Sequence, residues 1–222
     1  MVSVTRGSLL AAALVLVLVS WTTAVDGARQ GASFVVPYGQ VAVEGQREWN
    51  VTRALELHAA EGPHDYPLYK QCDSRWGSDV IVSKTVCQVG CLMSSISMGL
   101  AGWQISIDGS ASNPGTLNSW LLDNSGYTQG NNLIEDALNA IVPGMWSGSG
   151  MHKSNDLDPQ ELPSYFDNSI VVANVMNGRH FVLATGWDPE EPDNVYVNDP
   201  GFRNTQYSFS EDIVGWRIFT MT

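Results

Sequence analysis

The stretch Gly90-Cys91-Leu92-Met93-Ser94-Ser95-Ile96-Ser97-Met98-Gly99-Leu100-Ala101 carries apolar residues at helical spacing, with Leu92, Ile96, Gly99 and Leu100 on one face. Ser94, Ser95, Ser97 and Gly99 are small enough to let other elements approach closely. The pattern predicts a buried helix with Cys91 in its first turn.

Downstream, Asn113 reads as a helix cap and Pro114 as a first helical residue, so a second helix is expected over 114–122 and a third over 133–141. Gly144 to Gly150 reads as a Gly/Ser-rich loop. Beyond it the composition changes. Ser169 to Trp187, Asn194 to Asn198, Tyr207 to Phe209 and Gly215 to Met221 are rich in Val, Ile, Phe and Tyr and are divided by Gly, Pro and Asp turns. These read as antiparallel strands. Helices first and strands afterwards predict an α+β domain in which a helical half faces a sheet half.

Upstream, Tyr69 to Gly77 is rich in turn-formers and aromatics. Ser33 to Val43 reads as extended chain interrupted at Pro37, and Glu48 to Ala60 as a short helix broken by Glu61-Gly62-Pro63-His64. At the start, Arg6 precedes an apolar run from Leu9 to Val19 and then small residues around Ala24 and Gly27, the pattern of a secretory signal peptide. Cleavage after Ala24 or after Gly27 leaves roughly 195 residues, the size of one domain. The run is shorter than the ~20 residues that span a bilayer. The expected organisation is a signal peptide over 1–27, an N-terminal extension or pro-segment over 28–65 and a domain over 66–222. The expected location is extracellular, or the lumen of the secretory or a lysosome-like pathway.

Eleven basic against 23 acidic residues give a formal charge of −12. Such a chain repels phosphate backbones and anionic membrane surfaces, so neither nucleic acid nor a stable membrane association is expected. The acidic residues are scattered through loops such as Asp188 to Asp193, as a solubilising surface requires. A hydrophobic share of 44% provides a substantial core. No metal-ligand spacing and no phosphate-binding glycine loop is present, and no cofactor is expected. Trp76, Trp103, Trp120, Trp146, Trp187 and Trp216 read as core or cleft-lining residues. Asn50-Val51-Thr52 is a sequon that makes Asn50 a candidate glycosylation site.

Cys72, Cys87 and Cys91 are the only cysteines, and an odd number in an exported chain leaves at least one thiol without an intramolecular partner. A thiol reacts as its thiolate, which a helix N-terminus beside an imidazolium favours. Cys91 meets the first of those conditions. Otherwise it is a small buried residue, or half of a disulfide with Cys87 or Cys72. Of the four histidines only His180 lies in a strand-like stretch, just after the bend at Asn177-Gly178, where it is placed to point into a cleft or to serve as a hydrogen-bonded structural residue. His58, His64 and His152 read as helix surface or loop and receive no role. Asp199, 19 residues after His180, ends the next strand in Asn198-Asp199-Pro200-Gly201, a placement from which adjacent antiparallel strands could bring the two together. Taken alone, that tetrapeptide is an ordinary turn.

Tyr69-Lys70-Gln71-Cys72-Asp73-Ser74-Arg75-Trp76-Gly77, Gly90-Cys91-Leu92-Met93-Ser94-Ser95, Gly178-Arg179-His180-Phe181-Val182-Leu183 and Val197-Asn198-Asp199-Pro200-Gly201 occur in this order. Together they resemble the papain-like cysteine peptidases of the bacteriocin-processing, double-glycine group, from about Tyr66 to the C-terminus. The resemblance implies a papain-like fold and an enzyme that hydrolyses peptide bonds in a peptide or protein substrate. Separately, a monomer is expected. In that family pattern Cys91 is nucleophile, His180 general base, Asp199 orienter and an upstream glutamine the oxyanion donor. Gln71 matches the family position best and Gln88 is its rival. Cys72 and Cys87 are insertions relative to the family pattern; paired with each other, they leave Cys91 free. The same triad also serves acyltransferases, and a silent peptidase-like binding module is the alternative of another class.

Overall fold

The computed structural model describes residues 65–153 and 156–221. The expected signal peptide over 1–27, the expected extension over 28–65 save its last residue, the Asn50 sequon, His58 and His64 lie outside the described residues.

A one-turn helix, α1 (Val86–Val89), leads through Gly90 into α2 (Cys91–Gly102), the helix predicted from the apolar spacing. Every α2 side chain from Met93 to Leu100 is buried. Its small residues have the expected use: a Cβ on Gly99 would run into the Ile170 side chain, so α2 rests almost directly on the sheet. A short hairpin follows, β1 (Ser106–Ile107) and β2 (Ser110–Ala111), closed by Asp108-Gly109 with both residues at positive φ (47° and 77°). Asp-Gly is the usual signature of such a turn. Helix α3 (Pro114–Asp123) ends one residue later than predicted and is capped by Asn113, whose Oδ1 accepts from Gly115 N–H at 2.9 Å and Thr116 N–H at 3.1 Å.

The helix expected over 133–141 is instead a 3-10 helix, Glu135–Ala140. Asn139 is bonded through its side chain to both N–H and C=O of Trp146, which ties the turn tightly to the next loop. The Gly/Ser-rich loop contains a 3-10 turn, Gly148–Gly150, and runs into an edge strand, β3 (Met151–Lys153). His152 therefore lies on a strand and not on a loop or helix surface. A further short helix, α4 (Leu162–Phe166), precedes the main strands.

The strands are β4 (Ser169–Val175), β5 (His180–Trp187), β6 (Asn194–Asn198), β7 (Gln206–Ser208) and β8 (Gly215–Thr220). The sheet order is β3-β8-β4-β5-β6-β7, antiparallel throughout. Both faces are covered, which explains the nearly unbroken apolar run of β4. Ile170 and Val172 face the core beneath α2 and α3, whereas Val171, Ala173 and Val175 face a second core with α4, Phe209, Ile213 and Trp216. The molecule is thus α+β with an antiparallel sheet, and α2 packs on β4 and β5. No helix among the described residues is long and apolar enough to cross a membrane.

Candidate active site

Between β4 and β5 the chain reverses through Met176, Asn177 and Gly178, all at positive φ (54°, 55° and 83°), and His180 is the first residue of β5. Leu183 pairs with Asn198, so the end of β6 lies beside the start of β5. That register brings His180 and Asp199 together: His180 Nε2 lies 2.7 Å from Asp199 Oδ1. His180 is 6% exposed and Asp199 1%, so the contact is shielded from water. The Cys91 thiol, at the start of α2, stands near enough to the same imidazole to favour its protonated form. With Nε2 occupied by the carboxylate, the ring nitrogen left for the thiol is Nδ1. Cys91 is half-buried and is the free cysteine.

Asp199 is held from every side. Its Oδ1 also accepts from Gly201 N–H at 2.8 Å and Phe202 N–H at 2.9 Å, and its Oδ2 accepts from Tyr207 Oη at 2.8 Å. Asn204 Nδ2 in turn donates to Tyr207 Oη at 2.6 Å. Lys70 Nζ donates to the Asp199 carbonyl at 2.6 Å and to the Phe202 carbonyl, and Gln71 N–H donates to Pro200 O at 2.9 Å. The segment Tyr69 to Gln71 therefore clamps the turn that carries the carboxylate. Phe202 stands edge-on to the imidazole with ring centroids 5.1 Å apart. A Cβ on Gly201 would sit 2.9 Å from His180 Cε1, so the histidine ring occupies the space a side chain would need.

The two glutamines separate clearly. Gln71 is buried and its Nε2 donates to Cys87 O at 2.7 Å, while its Oε1 is buried without a partner. Gln88 is exposed, and its Oε1 accepts from Thr85 N–H at 3.0 Å to cap α1. The sulfurs of Cys72 and Cys87 stand at disulfide distance with Cα atoms 4.2 Å apart. Tyr207, Asn204 and Lys70 join the site without having been singled out from the sequence. Tyr207 reads there as one more strand aromatic, and Lys70 meets Asp199 across 129 positions, which no local spacing encodes.

Burial is the largest influence on His180 and disfavours its charged form, but the hydrogen bonds and charges of Asp199 and Cys91 outweigh it and raise the pKa from 6.5 to about 9. Burial also works against the Asp199 carboxylate. The bonds from His180, Phe202 N–H, Tyr207 and Gly201 N–H prevail and hold its pKa below the ordinary value. Burial, above all, pushes the Tyr207 hydroxyl up to about 12, keeping it a donor at neutral pH. Among the described residues no group of three or more His, Cys, Asp or Glu side chains is gathered to hold a metal.

These shifts fix the sign of a pH effect. The raised His180 pKa contributes stability that is complete below 6.5 and lost as the pH rises through about 9. The depressed Asp199 pKa contributes stability above the unfolded carboxylate value, lost as the pH falls through its folded value. The urea midpoint is expected to drop between a pH below 6.5 and one above 9, and to drop less in His180→Gln. Equal drops in the two proteins would contradict the assignment.

No protein-family model matches this chain, and no match was found among curated proteins or solved structures.

Proposed function

We propose that this chain is a cysteine peptidase or amide hydrolase with a papain-like fold, exported, acting on peptide bonds through Cys91, His180 and Asp199. The observation that carries the reading is the imidazole of His180, bonded through Nε2 to a buried carboxylate and near enough to the Cys91 thiol for the thiol to favour its protonated form. Nucleophile, base and orienter stand in the order that acyl transfer requires.

With the proton on His180, Cys91 Sγ attacks the substrate carbonyl carbon, and the carbonyl oxygen becomes an oxyanion. The Cys91 N–H, one of the helix N-terminal donors without an intrahelical acceptor, and the second N–H of Gln71 Nε2 are the donors for that charge. Collapse of the intermediate breaks the C–N bond, and His180 gives its proton to the departing amine. Water, deprotonated by His180, then attacks the thioester and releases the acid and the thiol. Asp199 keeps the ring oriented throughout, and Tyr207 and the Gly201 and Phe202 N–H groups keep Asp199 in place.

The test is alkylation of the folded protein with iodoacetamide, the adduct being located by mass spectrometry. Cys91 is expected to react faster than a denatured thiol, and His180→Ala is expected to lower that rate at least tenfold, a loss in the range contributed by a positioned acid or base. Labelling of Cys91 no faster than in the unfolded chain, or unaffected by His180→Ala, would refute the proposal.

A further inference from the structure

Gln71 is followed directly by Cys72, and the carbonyl that receives its amide belongs to Cys87, the partner of Cys72. Backbone, disulfide and hydrogen bond therefore close a small ring around one side chain. In an uninterrupted helix the Cys87 carbonyl would accept from the N–H four residues on, that of Cys91. The chain is interrupted at Gly90, between α1 and α2, and Cys87 O accepts from Gln71 Nε2. The other end of the amide, Oε1, lies 3.6 Å from the position of a Cβ on Gly201, a position also within 3.3 Å of His180 Nε2. Gln71 thus extends from the disulfide towards the space between Gly201 and His180, and the buried Oε1 makes no bond that would orient the amide from that side.

Resting on the peptidase reading, we propose that the Cys72–Cys87 disulfide is the positioning device for the Gln71 amide, setting the oxyanion donor without contributing to the reactivity of the thiol. The amide has one strong anchor, the Cys87 carbonyl, and Cys87 is held by the disulfide together with the bond from its N–H to Gly77 O. His180 and Asp199 are held independently, by the β5–β6 register and by Tyr207, Lys70 and the Gly201 and Phe202 N–H groups. Loss of the disulfide removes the covalent tie between Cys87 O and the Gln71 backbone, loosening the placement of Gln71 Nε2 while leaving the thiol–imidazole–carboxylate line in place.

Two probes of Cys91 separate the functions. Iodoacetamide alkylates the thiol by displacing iodide and forms no oxyanion; p-nitrophenyl acetate acylates it through a tetrahedral oxyanion and releases p-nitrophenolate. In Cys72→Ala/Cys87→Ala, alkylation is expected to stay within about twofold of wild type and acylation to fall at least tenfold, towards the 10²–10³ loss that follows removal of an oxyanion donor. Gln71→Ala is expected to show the same split, and adding it to the double variant to lower acylation little further. The single Gln71→Ala variant keeps the disulfide, so it reports on the amide even where the double variant folds poorly. Parallel loss of both reactions in the double variant, or full additivity with Gln71→Ala, would overturn the proposal. A wild-type Cys91 inert to both reagents would instead remove the peptidase reading itself.

Discussion

Asp199→Ala is expected to lower the folding stability by about 3–5 kcal/mol, the usual penalty for removing one member of a buried charged pair. The carboxylate is almost fully buried and accepts from His180, Tyr207 and the N–H groups of Gly201 and Phe202. Truncation leaves all four donors without an acceptor where water does not reach them easily. The effect on His180 has a definite sign. Burial, the largest influence on that ring, favours the neutral form and is opposed by Asp199 and Cys91. Without the carboxylate the pKa falls from about 9 towards or below 6.5. Urea denaturation gives the first quantity and titration of the ring by NMR the second. A variant that loses less than about 1 kcal/mol, the worth of a single ordinary hydrogen bond, or that keeps its His180 pKa, would mean that Asp199 does not hold the ring.

The second large effect concerns the disulfide. Cys72 and Cys87 are 15 positions apart, and closing a loop of that length restricts the unfolded chain enough to stabilise the fold by about 3 kcal/mol. Cys72→Ala/Cys87→Ala is therefore expected to lower the unfolding free energy by that amount, read from urea melts. Hydrogen bonds within the loop work in the other direction. Cys87 N–H donates to Gly77 O at 3.0 Å, Val86 N–H to Asp79 O at 2.8 Å and Ile81 N–H to Lys84 O at 2.8 Å. Asn131 Oδ1 also gathers the N–H groups of Val82, Ser83 and Lys84. A loss below about 1 kcal/mol would show that these bonds already order the loop in the unfolded ensemble. The stability loss and the acylation loss are separate readouts, because one reports on the unfolded chain and the other on a single side-chain amide.

Where a signal repeats along the chain, the sequence anticipates the structure closely. The helix opened by Cys91 follows from apolar spacing, that of α3 from Asn113 and Pro114, and the strands from β-branched and aromatic runs cut by turns. Shorter elements escape that reading. Within 133–141 only Glu135–Ala140 is helical, as a 3-10 turn tied to Trp146 through Asn139, and β3 is three residues pairing with β8, which comes some sixty positions later. A strand of that length has too few residues for alternation to be visible.

By itself the sequence determined the α+β class, the position of Cys91 at a helix start, and the candidacy of His180 and Asp199 at the ends of neighbouring strands. Those are local properties, set by spacing, capping and turn residues. Only the tertiary structure decided which glutamine is buried against the site, which cysteines stand together, and that Tyr207 and Lys70 hold Asp199 and its turn. The physical reason is that Gln71 and Gln88 are the same chemical group, with the same local claim to the role. What separates them is burial and a hydrogen bond to Cys87 O, and both arise only when distant parts of the chain pack together.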